Sequence, residues 1–209
     1  MAENAVKDYG WTSEVKPFSC DYIGPAVLKI LKSLDVLRVV DIGSGNGILC
    51  AEMAANGFKP VGVEYDAAGV AIAQSQYPNI NFYQFGVQDD PKKLLSTEAP
   101  FDAVVSTEVI EHLFSPHLLP IFAAGLLKPG GKLVITTPYH GYLKNLALSI
   151  FNAWDNHLTA QWHGGHIKFW SRKTLTQLLK NNGFEVQAFS GVGRFPYLWK
   201  SMILVAKKK

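Results

Sequence analysis

Cysteine is almost absent from this chain: only Cys20 and Cys50 occur in 209 residues. Two thiols cannot build a disulfide framework, and the expectation is a reducing, cytoplasmic setting. No apolar run reaches the ~18 residues a transmembrane helix needs. The first residues show no apolar core of a secretory signal, so none is expected. Charge of either sign is sparse, with 20 Lys and Arg against 17 Asp and Glu. Three of those lysines are Lys207, Lys208 and Lys209, so the rest is near neutral and nucleic acid is not an expected partner. Repeats and low-complexity tracts are missing too. What remains is a 48% hydrophobic chain, and residues 1–209 are expected to form one domain.

Residues 37–47, LRVVDIGSGNG, are the most informative stretch. The apolar, β-branched run suits a parallel strand buried on both faces. It ends in Asp41, and Gly43, Gly45 and Gly47 follow at alternate positions. Glycine accepts positive φ and lets a ligand approach the backbone, so a strand breaking into this loop before a helix makes a nucleotide-cofactor cradle. The dinucleotide pattern GxGxxG fails, because the third position is Ile48 or Cys50 in the two possible alignments. An acid followed by GxGxG resembles instead the first motif of the S-adenosylmethionine-dependent methyltransferases with a Rossmann-like fold. The resemblance implies S-adenosylmethionine as cofactor, with Asp41, Gly43, Ser44, Gly45 and Gly47 around it. An acid beside a sulfonium and an amino-acid tail is also electrostatically sensible.

Strand and helix patterns alternate, which predicts a parallel α/β sheet. Strands are expected at 37–41, 59–64, 80–85, 101–106 and 132–137. Helices are expected at 23–34, 47–56, 67–76, 109–113 and 116–127, with a turn at 128–131. After Pro138 comes a long segment, about 139–170, with many aromatics and four histidines. It reads as an inserted helix and loop, a lid or substrate element. A helix from Ser171 to Asn182 and two antiparallel strands, 184–189 and 198–206, close the chain. The fold class is α/β: a Rossmann-like, seven-stranded, mostly parallel sheet with helices on both faces and a C-terminal antiparallel hairpin.

Ligands of open parallel sheets bind beyond the carboxyl ends of the strands, near the switch in strand order. That rule gathers Asp41, Glu64, Thr107 and Pro138 around one crevice. Glu64 ends the second strand, where the family resemblance implies an acceptor for the ribose hydroxyls. Tyr65 follows as a candidate adenine contact. Where the family usually has an acid near the adenine amine, this chain has Val87, which leaves Gln88 or backbone groups to meet the adenine edge. Tyr9 and Trp11 are candidates to close over the cofactor.

Glu108, Glu111 and His112, in STEVIEHL, stand at i, i+3 and i+4, which on a helix would share one face. Such a face suits either a divalent metal or a general base, His112, beside a carboxylate. EVIEH followed by LKPGG and TP resembles the ubiquinone-biosynthesis O-methyltransferases. The small-RNA 2′-O-methyltransferases carry a similar ExxEH that binds metal, together with a distant histidine. That resemblance implies Glu108, Glu111, His112 and His166 as ligands of Mg, Mn or Zn, with His163 as substitute. His140 is a second candidate base. Trp154, Trp162, Phe169, Trp170 and Tyr142 suit a hydrophobic pocket for the acceptor or the core beneath a lid. The segment 142–154 is too short to span a bilayer and suits pocket cover better than peripheral membrane contact. The expected function is methylation of a small hydrophobic or aromatic acceptor at oxygen. The alternatives are RNA 2′-O-methylation and cofactor binding without catalysis.

Overall fold

The computed structural model describes Trp11, residues 18–158 and residues 165–209. Tyr9, Trp162 and His163 lie outside the described residues. The element order is α1 (Cys20–Ser33), β1 (Arg38–Ile42), α2 (Ile48–Ala55), β2 (Lys59–Glu64), α3 (Ala67–Gln76), β3 (Asn81–Gln84) and α4 (Pro91–Leu95). Then come β4 (Phe101–Thr107), a 3-10 turn (Ile110–His112), α5 (Leu118–Leu126), β5 (Leu127–Pro138), α6 (Tyr142–Ile150), α7 (Trp154–Leu158), α8 (Arg172–Asn181), β6 (Phe184–Val192) and β7 (Ser201–Lys208).

The seven strands form one sheet in the order β3-β2-β1-β4-β5-β7-β6. The first five pair in parallel, and β7 is antiparallel to both β5 and β6. This is the Rossmann-like arrangement expected from the alternating pattern. The central strands lack polar alternation because both faces are covered. Val40, Ile42, Val104, Leu133 and Leu204 belong to one buried cluster, while Val39, Ala103, Val105, Val134 and Ile203 belong to another. Successive residues of a strand point to opposite faces, so each strand feeds both cores. Phe101 is fully buried in the first cluster. Replacing it with Ala should destabilise the fold by about 3–5 kcal/mol, read as a lower urea midpoint.

Strand β1 sits between β2 and β4, so the chain reverses its direction of travel across the sheet there. Ser106 Oγ donates to the Ile42 carbonyl at 3.0 Å and ties the ends of β4 and β1 together. The crevice beyond these ends is where the candidate site residues gather.

Three expectations need correction. Residues 128–131 are the start of β5 rather than a turn before it. Residues 109–113 do not form an α-helix. Glu108 has φ 54, in the left-handed region, and only a single 3-10 turn follows. Glu108 N donates to Thr136 Oγ1 at 3.1 Å, and this anchor to β5 turns the chain before a helix can start. The insertion carries two helices, α6 and α7, rather than one. Among the described residues no helix is long and apolar enough to cross a membrane.

Candidate active site

The glycine loop is folded by backbone bonds across the β1–β2 end. Gly43 N and Ser44 N both donate to the Val63 carbonyl, at 2.8 and 3.0 Å. Gly43, Gly45 and Gly47 all take positive φ, at 79°, 53° and 81°. Gly45 has a second constraint, because a Cβ there would strike the Trp11 indole, with Cη2 at 2.8 Å. Gly47 is required by packing instead: its Cβ would meet Phe82 Cζ at 2.7 Å.

Glu64 holds this loop from the neighbouring strand. Its carboxylate accepts from Gly45 N at 2.9 Å and Asp66 N at 2.8 Å. Burial pushes the Glu64 carboxyl upward, and the backbone donors oppose that shift. Asp41 is more extreme. Burial lifts it to about 7, against a weak hydrogen bond from Cys50 Sγ at 3.7 Å. Its Oδ1 is buried with no hydrogen-bond partner among the described residues.

These residues line one cavity of about 1510 Å³. A single drug-sized ligand fills roughly 300–1,000 Å³, so there is room for two molecules side by side. Asp41, Gly43, Ser44, Gly45 and Glu64 line one part, with Tyr65, Val87 and Gln88 beside them. Trp11 also lines it, resting on the glycine loop. Thr107, Glu108, His112, Pro138 and His166 line it at the ends of β4 and β5.

The two carboxylates of the ExxEH stretch part company. Glu108 Oε1 accepts from Thr136 Oγ1 at 2.8 Å, and Oε2 accepts from Ser201 Oγ at 3.0 Å. Burial raises its carboxyl to about 7, opposed by these hydroxyls and by Lys144. Glu111 is 1% exposed, and its Oε2 accepts from Thr137 Oγ1 at 3.0 Å. Burial and the charge of Glu108 push the Glu111 carboxyl up. Its Oε1 is unpartnered by hydrogen bonds and stands 3.9 Å from His112 Nε2.

His112 Nδ1 lies 3.3 Å from the Gly165 carbonyl, which fixes the ring. The His112 and His166 rings meet edge-on, 5.0 Å between centroids. Glu111, His112 and His166 each offer a ligand atom, all within 4.8 Å of one another. Residues 167 and 168 bring His166 here by donating from both backbone N–H groups to the Glu111 carbonyl, at 2.9 and 3.0 Å. Burial and the neighbouring His112 depress His166 to about 4. Glu108 is not in this cluster.

His140 is buried among Trp154, His157 and Phe169 and does not line the cavity. Its Nδ1 lies 3.3 Å from Asn145 Oδ1, and burial depresses it to about 4. The structure thus places it behind the wall of the site. Sequence reasoning missed Thr136, Thr137, Ser201 and Lys144. They lie on β5, β7 and α6, and no local spacing links them to the ExxEH stretch.

A sheet of this order, with an acidic strand end, a three-glycine loop and an acid on the next strand, defines the S-adenosylmethionine-dependent methyltransferases. A family profile described as a methyltransferase domain matches residues 18–188, and the chain belongs to that family. It is 30% identical over 185 residues to the ubiquinone biosynthesis O-methyltransferase of Maricaulis maris, covering 85% of this chain and 69% of that one. The Bradyrhizobium sp. enzyme of the same name is 29% identical over 201 residues, covering 88% and 75%. In fold, the chain is similar to magnesium protoporphyrin IX methyltransferase from Synechocystis PCC 6803, solved with bound SAH (S-adenosylhomocysteine). That match has a TM-score of 0.68 and 16% identity, over 95% of this chain and 91% of that one.

Proposed function

We propose that this methyltransferase acts on an oxygen of a small hydrophobic or aromatic acceptor, with a divalent cation (Mg, Mn or Zn) held by Glu111, His112 and His166. The observation that carries this reading is the convergence of those three side chains, with Glu111 Oε1 and His166 Nδ1 left without hydrogen-bond partners. Buried polar atoms without partners are costly, and a cation would satisfy both. The names of the relatives support an oxygen acceptor. When bound, S-adenosylmethionine supplies a sulfonium methyl with a built-in leaving group, and a cation would lower the pKa of the acceptor hydroxyl.

The chain's own residues do the holding. Asp41 Oδ1, buried without a hydrogen-bond partner, would receive the ammonium of the cofactor's amino-acid tail. Glu64 uses acceptor positions not taken by Gly45 and Asp66 for the ribose. Tyr65 and Gln88 flank the adenine. Glu108 is a structural acid pinned by Thr136 and Ser201 rather than a ligand. Residues 139–158 cover the acceptor side, where Ala147, Leu148 and Phe151 line the cavity. Tyr142, Ile150 and Phe151 remain exposed on that cover, at 79%, 67% and 79%, and suit delivery of a lipophilic acceptor from a membrane surface.

Chelation should abolish turnover on a catechol-type acceptor, and adding back a divalent ion should restore it. Chelator-insensitive turnover would instead make His112 the general base. Its Nδ1 faces the Gly165 carbonyl, so in the neutral tautomer with the proton on Nδ1 it is Nε2, beside Glu111, that accepts the hydroxyl proton.

Asp41 gives a pH prediction. Its folded carboxyl titrates at about 7 instead of 3.8, so it is largely protonated below neutrality. A cationic ligand favours the ionised form, and binding therefore releases a proton when pH is below 7. SAH affinity should fall up to about tenfold per pH unit below that point. Asp41→Asn should bind more weakly and flatten this dependence. A steep dependence persisting in the variant would reassign it to another group.

A further inference from the structure

Lys144 is a buried lysine with no acid on it. It sits on α6 and is 6% exposed. Its Nζ donates to the Lys200 carbonyl at 3.1 Å, which uses one of three N–H donors. No carboxylate among the described residues forms an ion pair with it. The acid that influences it, Glu108, has both oxygens engaged by Thr136 and Ser201. Burying an ammonium this way is costly unless a partner arrives.

Lys144 lines the cavity, and so do Arg194 and Lys200. Arg194 is exposed at the rim and likewise has no ion pair among the described residues. The Lys200 ammonium lies over the Phe18 and Tyr22 rings, 4.3 and 5.2 Å from their centroids. Three cations therefore face this part of the cavity against one acid, Glu108. The same end also holds the apolar side chains of Leu148 and Phe151. The local chemistry is an apolar pocket with surplus positive charge.

We propose that Lys144 and Arg194 form a receptor for an anionic group on the methyl acceptor, a carboxylate on an otherwise apolar or aromatic body. This rests on reading the cavity as the acceptor site. A carboxylate takes the two free donors of Lys144, and Arg194 closes on it from the rim with a planar pair of N–H groups. The ring then lies on Leu148 and Phe151. A neutral amide of the same shape offers one carbonyl acceptor and no charge, so it leaves the Lys144 ammonium without a counter-ion and loses the paired contact to Arg194. Selectivity here comes from charge more than from size.

Three probes on one alkyl-aryl body separate the possibilities: 4-butylbenzoate, its isostere 4-butylbenzamide, and the cationic 4-butylbenzylamine, titrated calorimetrically into the full chain with and without SAH. The benzoate should bind at least about tenfold more tightly than the amide, and the amine most weakly. Lys144→Met and Arg194→Gln should each erode that preference while SAH affinity stays unchanged. If Lys144→Met does not fold, Arg194→Gln, at an exposed position, and the probe comparison on the unsubstituted protein still decide. Equal binding of benzoate and amide overturns the proposal. So does a benzoate preference that survives in both variants. Absence of SAH binding with the benzoate preference intact overturns the cofactor reading and upholds this one.

Discussion

Glu111→Gln is expected to lower turnover by about 100- to 10,000-fold while SAH affinity stays within roughly twofold. Glu111 Oε2 is held by Thr137, and Oε1 faces His112 Nε2 with no hydrogen bond of its own. Glutamine keeps the shape and can keep the Thr137 contact, but it removes the anion. The same change relieves a buried, strained ionisation, since burial and Glu108 already resist the charge on Glu111. The fold should hold or gain stability, because a neutral group is easier to bury than a charged one. A variant that is as stable as the parent and inactive would locate the defect in the chemistry. Unchanged turnover would remove Glu111 from the reaction and leave the ExxEH stretch a structural element.

Glu64→Ala should weaken SAH binding by about 10- to 150-fold, the loss of one or two charge-assisted hydrogen bonds worth about 1.5–3 kcal/mol. The effect has two sources. Glu64 is the candidate ribose acceptor, and it also fastens the glycine loop through Gly45 N and Asp66 N. Calorimetric titration with SAH measures both together. An unaltered affinity would take Glu64 out of the ribose site. A loss accompanied by a lower urea midpoint would show how much of the effect is loop anchoring.

The grouping of the candidate cofactor residues was legible from the sequence because it is local. Asp41, the glycines and Glu64 sit at the ends of two adjacent strands whose apolar runs are unmistakable. Glycine spacing alone also argues against a dinucleotide. The second half was legible only as residue types. Glu108, Glu111, His112 and His166 were named, but the helix that would have aligned three of them does not exist. Glu108 takes a left-handed conformation at the end of β4 and turns toward β5 and β7. Spacing in sequence cannot report that, because the cause is a pair of hydroxyls, Thr136 and Ser201, far away in the chain. His140 was drawn forward by its place after β5, yet aromatic packing in the insertion holds it behind the cavity wall.

The sequence by itself determined the doubly covered parallel sheet, the antiparallel end and the methyl donor, since hydrophobic patterning and glycine placement are short-range signals. Tertiary structure decided which acids share a site and which stay apart. It decided that His166 reaches Glu111 through two backbone hydrogen bonds, and that Lys144 ends buried without an acid. Those outcomes depend on strands β4, β5 and β7 lying side by side, and on the insertion folding back over their ends. The energies that select them, hydrogen bonds and desolvated charges, exist only once distant segments have met.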